Sequence, residues 1–354
     1  MTTTLAASAS PGRPHPLLFS LLLLLLLAPA AHATFSIVAV DRRTGEVGGA
    51  GASCVPDVSI INDLLPGIGA IHTQALHNGG NQLNARMRML LGDTPQEIMD
   101  WLRQNDAGSS PAVRQYGAVT LAPGPGASFT GNQNGTWAGH RTGVSYAIQG
   151  NILVNGNVVR DMEQAFLATE GKSLGDRLLA ALLAAKRPGA DSRCFPVSAQ
   201  SCFVRVWRIG DPGPYLDIRA NGRRTDPLDR LEENYLAWKA SRRDQVDPFR
   251  SLIDVTRKTV PADGTSRTVL VLTPRNDSDE RLEVESVTAL HAGTGRLTGP
   301  FLVPGGRHRN RHVFFLRAPT REGQDEVRFQ VTTSRGTVEI QPPVQILFQP
   351  LHHR

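Results

Sequence analysis

The apolar run at residues 17–27, followed by Ala28-Pro29-Ala30-Ala31-His32-Ala33, most constrains this chain because it sets where folding can begin. At roughly eleven residues it is too short for the ~20 that a helix needs to cross a bilayer. With Arg13 before it and small residues after it, the segment reads as an export signal. Two cleavage sites compete, after Ala30 and after Ala33. The second makes residues 1–33 the signal peptide and Thr34 the first residue of a periplasmic or secreted protein. No transmembrane segment is then expected, and no Cys follows either site to accept a lipid.

Export places Cys54, Cys194 and Cys202 in an oxidising compartment, where one disulfide can form and one thiol is left over. Cys54 with Cys194 is the expected pair, since both lie at the ends of predicted elements while Cys202 lies inside a strand. Cys194 with Cys202 is the alternative. Metal-type Cys/His spacing is absent, so neither metal nor cofactor is expected. The net charge of +6 is mixed along the chain and argues against a nucleic-acid partner.

From Thr34 an alternating stretch, a turn at Arg43-Thr44-Gly45 and a second stretch of small and apolar residues predict a β-hairpin. A strand at 69–76 follows, then a break at Asn78-Gly79-Gly80, then a helix over 83–91. Thr94-Pro95-Gln96-Glu97 combines an N-cap, a first-turn Pro and a capping-box Glu, and starts a helix that runs to about residue 102. Strands at 116–122 and 127–130, helices at 158–169 and 174–185, strands at 203–209 and 215–219, and a helix at 226–239 complete the first unit. Residues 241–250 read as a charged linker with few residues able to pack. Short β-rich runs at 268–272, 281–290, 312–316, 326–332 and 344–348 then predict a smaller all-β, immunoglobulin-like sandwich over residues 251–354.

Three segments carry a family resemblance: Thr34-Phe35-Ser36-Ile37-Val38-Ala39 with its hairpin, Ile71-His72-Thr73-Gln74-Ala75-Leu76, and AGHRTGVSYAIQGNIL at 138–153. Over residues 34–239 the chain resembles DUF1028, bacterial and archaeal proteins grouped with the N-terminal nucleophile (Ntn) hydrolases. The resemblance implies an α+β fold for residues 34–240, a four-layer αββα sandwich of two antiparallel sheets between helix layers. Where the family ordinarily has a small residue this chain has Cys202, which reads as a buried strand cysteine, a reactive thiol being the alternative.

Cleavage after Ala33 would give Thr34 a free α-amine beside its own hydroxyl, so one residue supplies nucleophile and general base. An α-amine titrates at about 7.7 to 8.0, close enough to neutrality to accept the hydroxyl proton. Analogy to the Ntn architecture brings further candidates to Thr34. Asn151, in the turn-like Gln149-Gly150-Asn151, would donate to an oxyanion or orient the amine, with plain turn formation as the alternative. Asp191 would hold the ammonium form, a surface salt bridge being the alternative. Asn78 and Gly79, in the turn spanning 75–79, would offer backbone N–H groups to an oxyanion, a plain strand-to-helix turn being the alternative. His72 and Gln74 are substrate-side candidates of which one should face the sheet interior, and a core His is the competing reading. His140 and Arg141, in a Gly-flanked turn ending at Gly143, would bind an anionic group or serve the turn alone.

The expected function is an exported hydrolase that cleaves an amide bond in a small-molecule or peptide substrate, with oligomeric state left open. The alternative is a catalytically silent binding or cell-envelope protein on the same scaffold.

Overall fold

The computed structural model of the protein describes residues 33–222, 224–302 and 310–350. Of the segment expected to be the signal peptide, all but Ala33 lies outside them. Strand β1 (Thr34–Asp41) pairs antiparallel with β2 (Glu46–Ser53), Thr34 opposite Ser53 and Asp41 opposite Glu46. Both faces of β1 are buried: Val38 and Val40 point one way, Phe35, Ile37 and Ala39 the other. This double burial is why β1 and β2 carry small and apolar residues at nearly every position. An apolar/polar alternation marks a strand with one wet face.

β1 and β2 are central in a six-stranded sheet ordered β10-β9-β2-β1-β8-β7. It is completed by β7 (Ala138–Gly143), β8 (Tyr146–Asn151), β9 (Ser201–Arg208) and β10 (Leu216–Asn221). A second sheet joins β3 (Asn62–Leu65), β4 (Gly69–Ala75), β5 (Arg114–Thr120) and β6 (Ala127–Thr130). Every pairing in both sheets is antiparallel. Helices α1 (Gly79–Leu90) and α2 (Pro95–Gln104) pack on the smaller sheet through Ala85, Met89, Ile98 and Leu102. Helices α3 (Asn157–Ala168), α4 (Leu174–Ala184) and α5 (Pro227–Ser241) cover the larger one through Met162, Phe166, Leu178, Leu182 and Leu231. The two sheets face each other across Val38, Val40, Val47, Leu64, Ala70, Val119 and Ala147.

Several local expectations need correction. Residues 140–143, read as a turn, belong to β7, and the chain reverses at Val144-Ser145. Gln149-Gly150-Asn151 is the end of β8, with α3 starting only at Asn157. The first helix starts at Gly79, earlier than expected, because Asn78 caps it: its Oδ1 accepts from Asn81 N at 3.2 Å. Without that side-chain acceptor the two glycines would break the helix; with it they form its first turn. The capping box at α2 is present, Glu97 N donating to Thr94 Oγ1 at 3.3 Å and Thr94 N to Glu97 Oε2 at 2.8 Å.

Beyond α5, one sheet is ordered β11 (Leu252–Val255), β13 (Arg267–Thr273), β16 (His312–Arg317), β15 (Arg296–Leu302) and a second β12 (Thr259–Pro261), β18 (Gly336–Gln349), β17 (Gly323–Thr333), β14 (Ser286–Ala292). The two face each other around a separate core that includes Leu270, Phe314, Phe329 and Ile346. Residues 241–250 are not the loosely packed stretch their charge suggests: Asp247 and Arg250 are buried. Arg208 Nη1 donates to Asp247 at 3.1 Å, Arg250 Nη1 donates to Asp279 at 2.9 Å, and Arg250 Nη2 lies 3.9 Å from Glu46 Oε2. A charge without a partner is costly to bury, so these pairs hold the segment in place.

Candidate active site

The seam between the two sheets changes character along β1. At one end it is apolar, as described; toward Thr34 it becomes a buried polar network. Ser36 Oγ donates to Gln74 Oε1 at 2.6 Å, and Gln149 Nε2 donates to Ser36 Oγ at 2.7 Å. Gln74 Nε2 donates to Gln115 Oε1 at 2.8 Å, with Asn151 Oδ1 at 3.4 Å and the Thr34 carbonyl at 3.5 Å. Gln115 Nε2 in turn donates to Gly150 O at 2.8 Å. Buried amides are tolerated only when satisfied, so this network fixes the position of the β1 end.

Two glycines make the room. A Cβ on Gly117 would lie 1.9 Å from Gln149 Oε1, and one on Gly49 would lie 2.3 Å from Asn62 Oδ1 and 2.5 Å from His72 Nε2. Both His72 and Gln74 face this seam, rather than one of the two as expected, since residues two apart share a strand face. His72 sits two residues deeper than Gln74, fully buried, its Nε2 2.9 Å from Asn62 Oδ1 and its ring edge-on to Phe203. Burial pulls its pKa down to about 3, and Arg205 acts in the same direction. The fold thus excludes a proton that the unfolded chain binds below about pH 6.5. Stability attributable to this site is full above that pH and is lost as pH falls toward 3. Urea midpoints measured from pH 7 to pH 4 are expected to fall, and to fall less in His72→Gln; an equal decline in both would remove His72 as the cause.

Thr34 begins β1 at 2% exposure, with Oγ1 3.3 Å from Ser53 Oγ. Asn151 is fully buried and lies directly opposite Thr34 in the β1–β8 pairing. The carbonyl oxygen of Ala33, on the acyl side of the Ala33–Thr34 bond, accepts two hydrogen bonds. Ser53 Oγ donates one, and Arg193 Nη2 the other at 3.1 Å. The Asp191 carboxylate, fully buried, grips the Arg193 guanidinium at 3.1 Å (Nε) and 3.0 Å (Nη2) and accepts from Cys54 N at 2.6 Å. The ion pair is therefore buried at its carboxylate end and open to solvent at its guanidinium end, and it reaches the Ala33–Thr34 peptide through the arginine. The disulfide Cys54–Cys194 joins the two segments that carry Asp191 and its N–H donor. Cys202 is a free, buried cysteine whose thiol burial pushes up, well outside the range of a reactive thiolate.

The remaining candidates lie apart from this cluster. Asn78 is occupied as the α1 cap, with Gly79 behind it. Two N–H groups of their turn are used internally, Leu76 N by Val113 O at 3.2 Å and His77 N by Ala75 O at 3.1 Å. His140 shares the seam face but lies at the edge strand, exposed, with Nδ1 2.9 Å from Thr130 Oγ1. Arg141 points to the helix side and pairs with Glu163 at 3.2 Å. Sequence reasoning missed Ser53 and Arg193. Counting back from the Arg43-Thr44-Gly45 turn would have found Ser53, because that register sets it opposite Thr34; nothing local points to Arg193.

Among the described residues no group of His, Cys, Asp and Glu side chains could hold a metal ion, and no helix is long and apolar enough to cross a membrane. No curated protein matches the chain. It is similar to the crystal structure of protein SPO2555 from Silicibacter pomeroyi, itself described as DUF1028, at 27% identity and a TM-score of 0.50, covering 58% of this chain and 89% of that one. It also matches the Yersinia pseudotuberculosis adhesin InvE at 19% identity over 30% of this chain and 28% of that one, with a TM-score of 0.24. The Escherichia coli adhesin FdeC matches at 9% identity over 89% of this chain and 63% of that one, also with a TM-score of 0.24. Scores of that size carry no argument about fold. The family model described as "Family of unknown function (DUF1028)" matches residues 34–231, more than half of the chain, and the protein belongs to that family.

Proposed function

We propose that this protein is an exported Ntn-type hydrolase that cleaves an amide bond in a small-molecule or peptide substrate, with Thr34 as nucleophile once residues 1–33 are removed. The observation that carries this reading is the two-donor grip of Ser53 and Arg193 on the Ala33 carbonyl oxygen, beside the Thr34 hydroxyl. A helix–sheet–sheet–helix order around that residue supports the four-layer αββα architecture of the Ntn hydrolases. The disulfide supports a periplasmic or secreted location. In the same reading residues 34–240 are the hydrolase domain, and residues 251–354 are a separate immunoglobulin-like sandwich.

Removal of Ala33 leaves its two donors for the acyl oxygen of a substrate. Thr34 Oγ1 attacks the acyl carbon, and its proton passes to the α-amine. Negative charge gathering on the acyl oxygen meets the Ser53 hydroxyl and the Arg193 guanidinium, the latter held in orientation by Asp191. Asn151, opposite Thr34, orients the amine. Collapse breaks the amide bond and the departing amine takes the proton. Water then attacks the Thr34 ester with the same α-amine as base, releasing the acid and restoring the hydroxyl.

N-terminal sequencing of the exported protein is expected to read Thr34, and a β-lactone probe is expected to add to the N-terminal peptide as seen by mass spectrometry. A start at Ala31, or an unmodified N-terminal peptide, would overturn the assignment and leave a catalytically silent envelope binding protein in its place.

A further inference from the structure

A second feature of the molecule lies far along the chain from Thr34 and is independent of the hydrolase reading. In the sandwich, strands β13 (Arg267–Thr273), β16 (His312–Arg317) and β15 (Arg296–Leu302) lie side by side. Arg267 pairs with Arg317 across the first junction, and Arg296 pairs with the same Arg317 across the second. Three arginines therefore stand in one row across three strands, on the face opposite the core residues Leu270, Phe314 and Leu316. All three are exposed.

Neighbouring strands are about 4.8 Å apart, so the row holds three positive charges within about 10 Å. Like charges directly opposite one another destabilise a sheet. Among the described residues none of the three has an ion pair; Arg317 Nε donates to Gly264 O at 2.6 Å. Asp254, which faces the same side, lies opposite Val271, four residues along β13 from Arg267. Among the described residues no carboxylate pairs with the row to offset the repulsion.

Beside the row lie two aromatic rings. Phe315 and Phe301 meet edge to face with centroids 5.7 Å apart, and Phe301 is 53% exposed. An irregularity in β15 between Thr298 and Phe301 brings both of these residues to the outer face, opposite Phe315 and Val313. The three arginines, Thr298 and the two phenylalanines line one open pocket of about 340 Å³.

We propose that this pocket binds an anionic glycan, a sugar chain whose carboxylate or phosphate groups repeat at about the strand spacing. Guanidinium forks recognise both groups through paired N–H donors, and a row of them reads a row of charges. The C–H face of a sugar ring rests on Phe301, whose ring face carries the partial negative charge that such hydrogens seek. Single-stranded nucleic acid is the less suitable occupant, because it is held on successive stacking platforms and here the two rings are edge-on to each other. The concave shape, with one exposed ring, suits a single chain better than a flat bilayer surface.

The test uses the full exported protein and isothermal calorimetry with a galacturonate hexamer, a phosphorylated mannan, a neutral galactose hexamer and a 12-nucleotide single-stranded DNA. Binding of either charged glycan is expected, weakening as salt rises from 50 to 300 mM, with none for the neutral sugar. Arg267→Gln with Arg296→Gln is expected to weaken it at least tenfold, and Phe301→Ala to weaken it further. The double variant removes repulsion and leaves the Arg317–Gly264 hydrogen bond, so its urea midpoint without ligand should equal or exceed that of the parent. Silence from both charged glycans, or binding indifferent to the arginine substitutions, would overturn the proposal. Tighter, arginine-dependent binding of the DNA would also overturn it and assign the row to nucleic acid.

Discussion

Thr34→Ala is expected to lose turnover by a factor on the order of 10⁴ or more, whereas Thr34→Ser keeps part of it. The two variants differ in one atom that matters: Ser retains the hydroxyl beside the α-amine, and Ala retains the amine alone. A third variant, whose N-terminus carries one residue before Thr34, keeps the hydroxyl and converts the amine to an amide. It is expected to be as inactive as Thr34→Ala, because it has no base for the hydroxyl proton. Ser53→Ala removes one of the two donors to the acyl oxygen and is expected to cost about 10²- to 10³-fold in kcat. Thr34 Oγ1 donates to Ser53 Oγ at 3.3 Å, and a neutral hydrogen bond contributes about 1 kcal/mol, so urea midpoints should separate the Thr34 variants little. The rate of probe labelling at the N-terminal peptide reads all four. Equal labelling of wild type and Thr34→Ala would remove Thr34 from the chemistry, whatever the other variants do.

Loss of the disulfide is the largest expected change in stability. Cys54 and Cys194 are 140 residues apart, and cross-linking a loop of that length removes about 5 kcal/mol of unfolded-chain entropy. Native disulfides in small secreted domains typically contribute about 2 to 5 kcal/mol, so Cys54→Ser with Cys194→Ser is expected to fall in that range by equilibrium urea unfolding. The same substitution should also reach the site. Cys54 N donates to Asp191 Oδ2 at 2.6 Å and Cys194 N to Asp191 O at 2.9 Å, so freeing the two segments loosens the carboxylate that orients Arg193. Labelling at Thr34 should slow even where the protein is still folded. A double variant as stable as the parent would show that neighbouring contacts hold the two segments without the bond.

How far this could be read from residues alone follows the range of the interactions. The β1–β2 hairpin was legible because its signal is local: a turn at Arg43-Thr44-Gly45 between two strands. The capping box at Thr94 was legible for the same reason, a three-residue spacing with one geometric outcome. The Cys54–Cys194 pairing followed from a count of three thiols and from the strand character of Cys202, which the structure leaves free and buried. β7 was misread as a turn because it is an edge strand carrying Gly139, His140 and Arg141, residues that local propensity assigns to loops. The start of α1 was missed because two glycines hid a cap that one asparagine side chain supplies.

The amino-acid sequence by itself determined the family, the hairpin that presents Thr34, the cysteine pair and the alternation of strands with helices, each encoded by short spacings or by residue chemistry. Tertiary structure alone decided what meets Thr34. Arg193 lies 160 positions from Ala33, and Gln74, Gln115 and Asn151 come from three different strands in two sheets. Only the facing of those sheets turns isolated amides into one network, and only close approach at Gly49 and Gly117 shows why those positions lack a side chain. The arginine row of the sandwich belongs to the same class. Arg267, Arg296 and Arg317 are dispersed along the chain, and strand register, set by burial of the opposite face, is what lines them up.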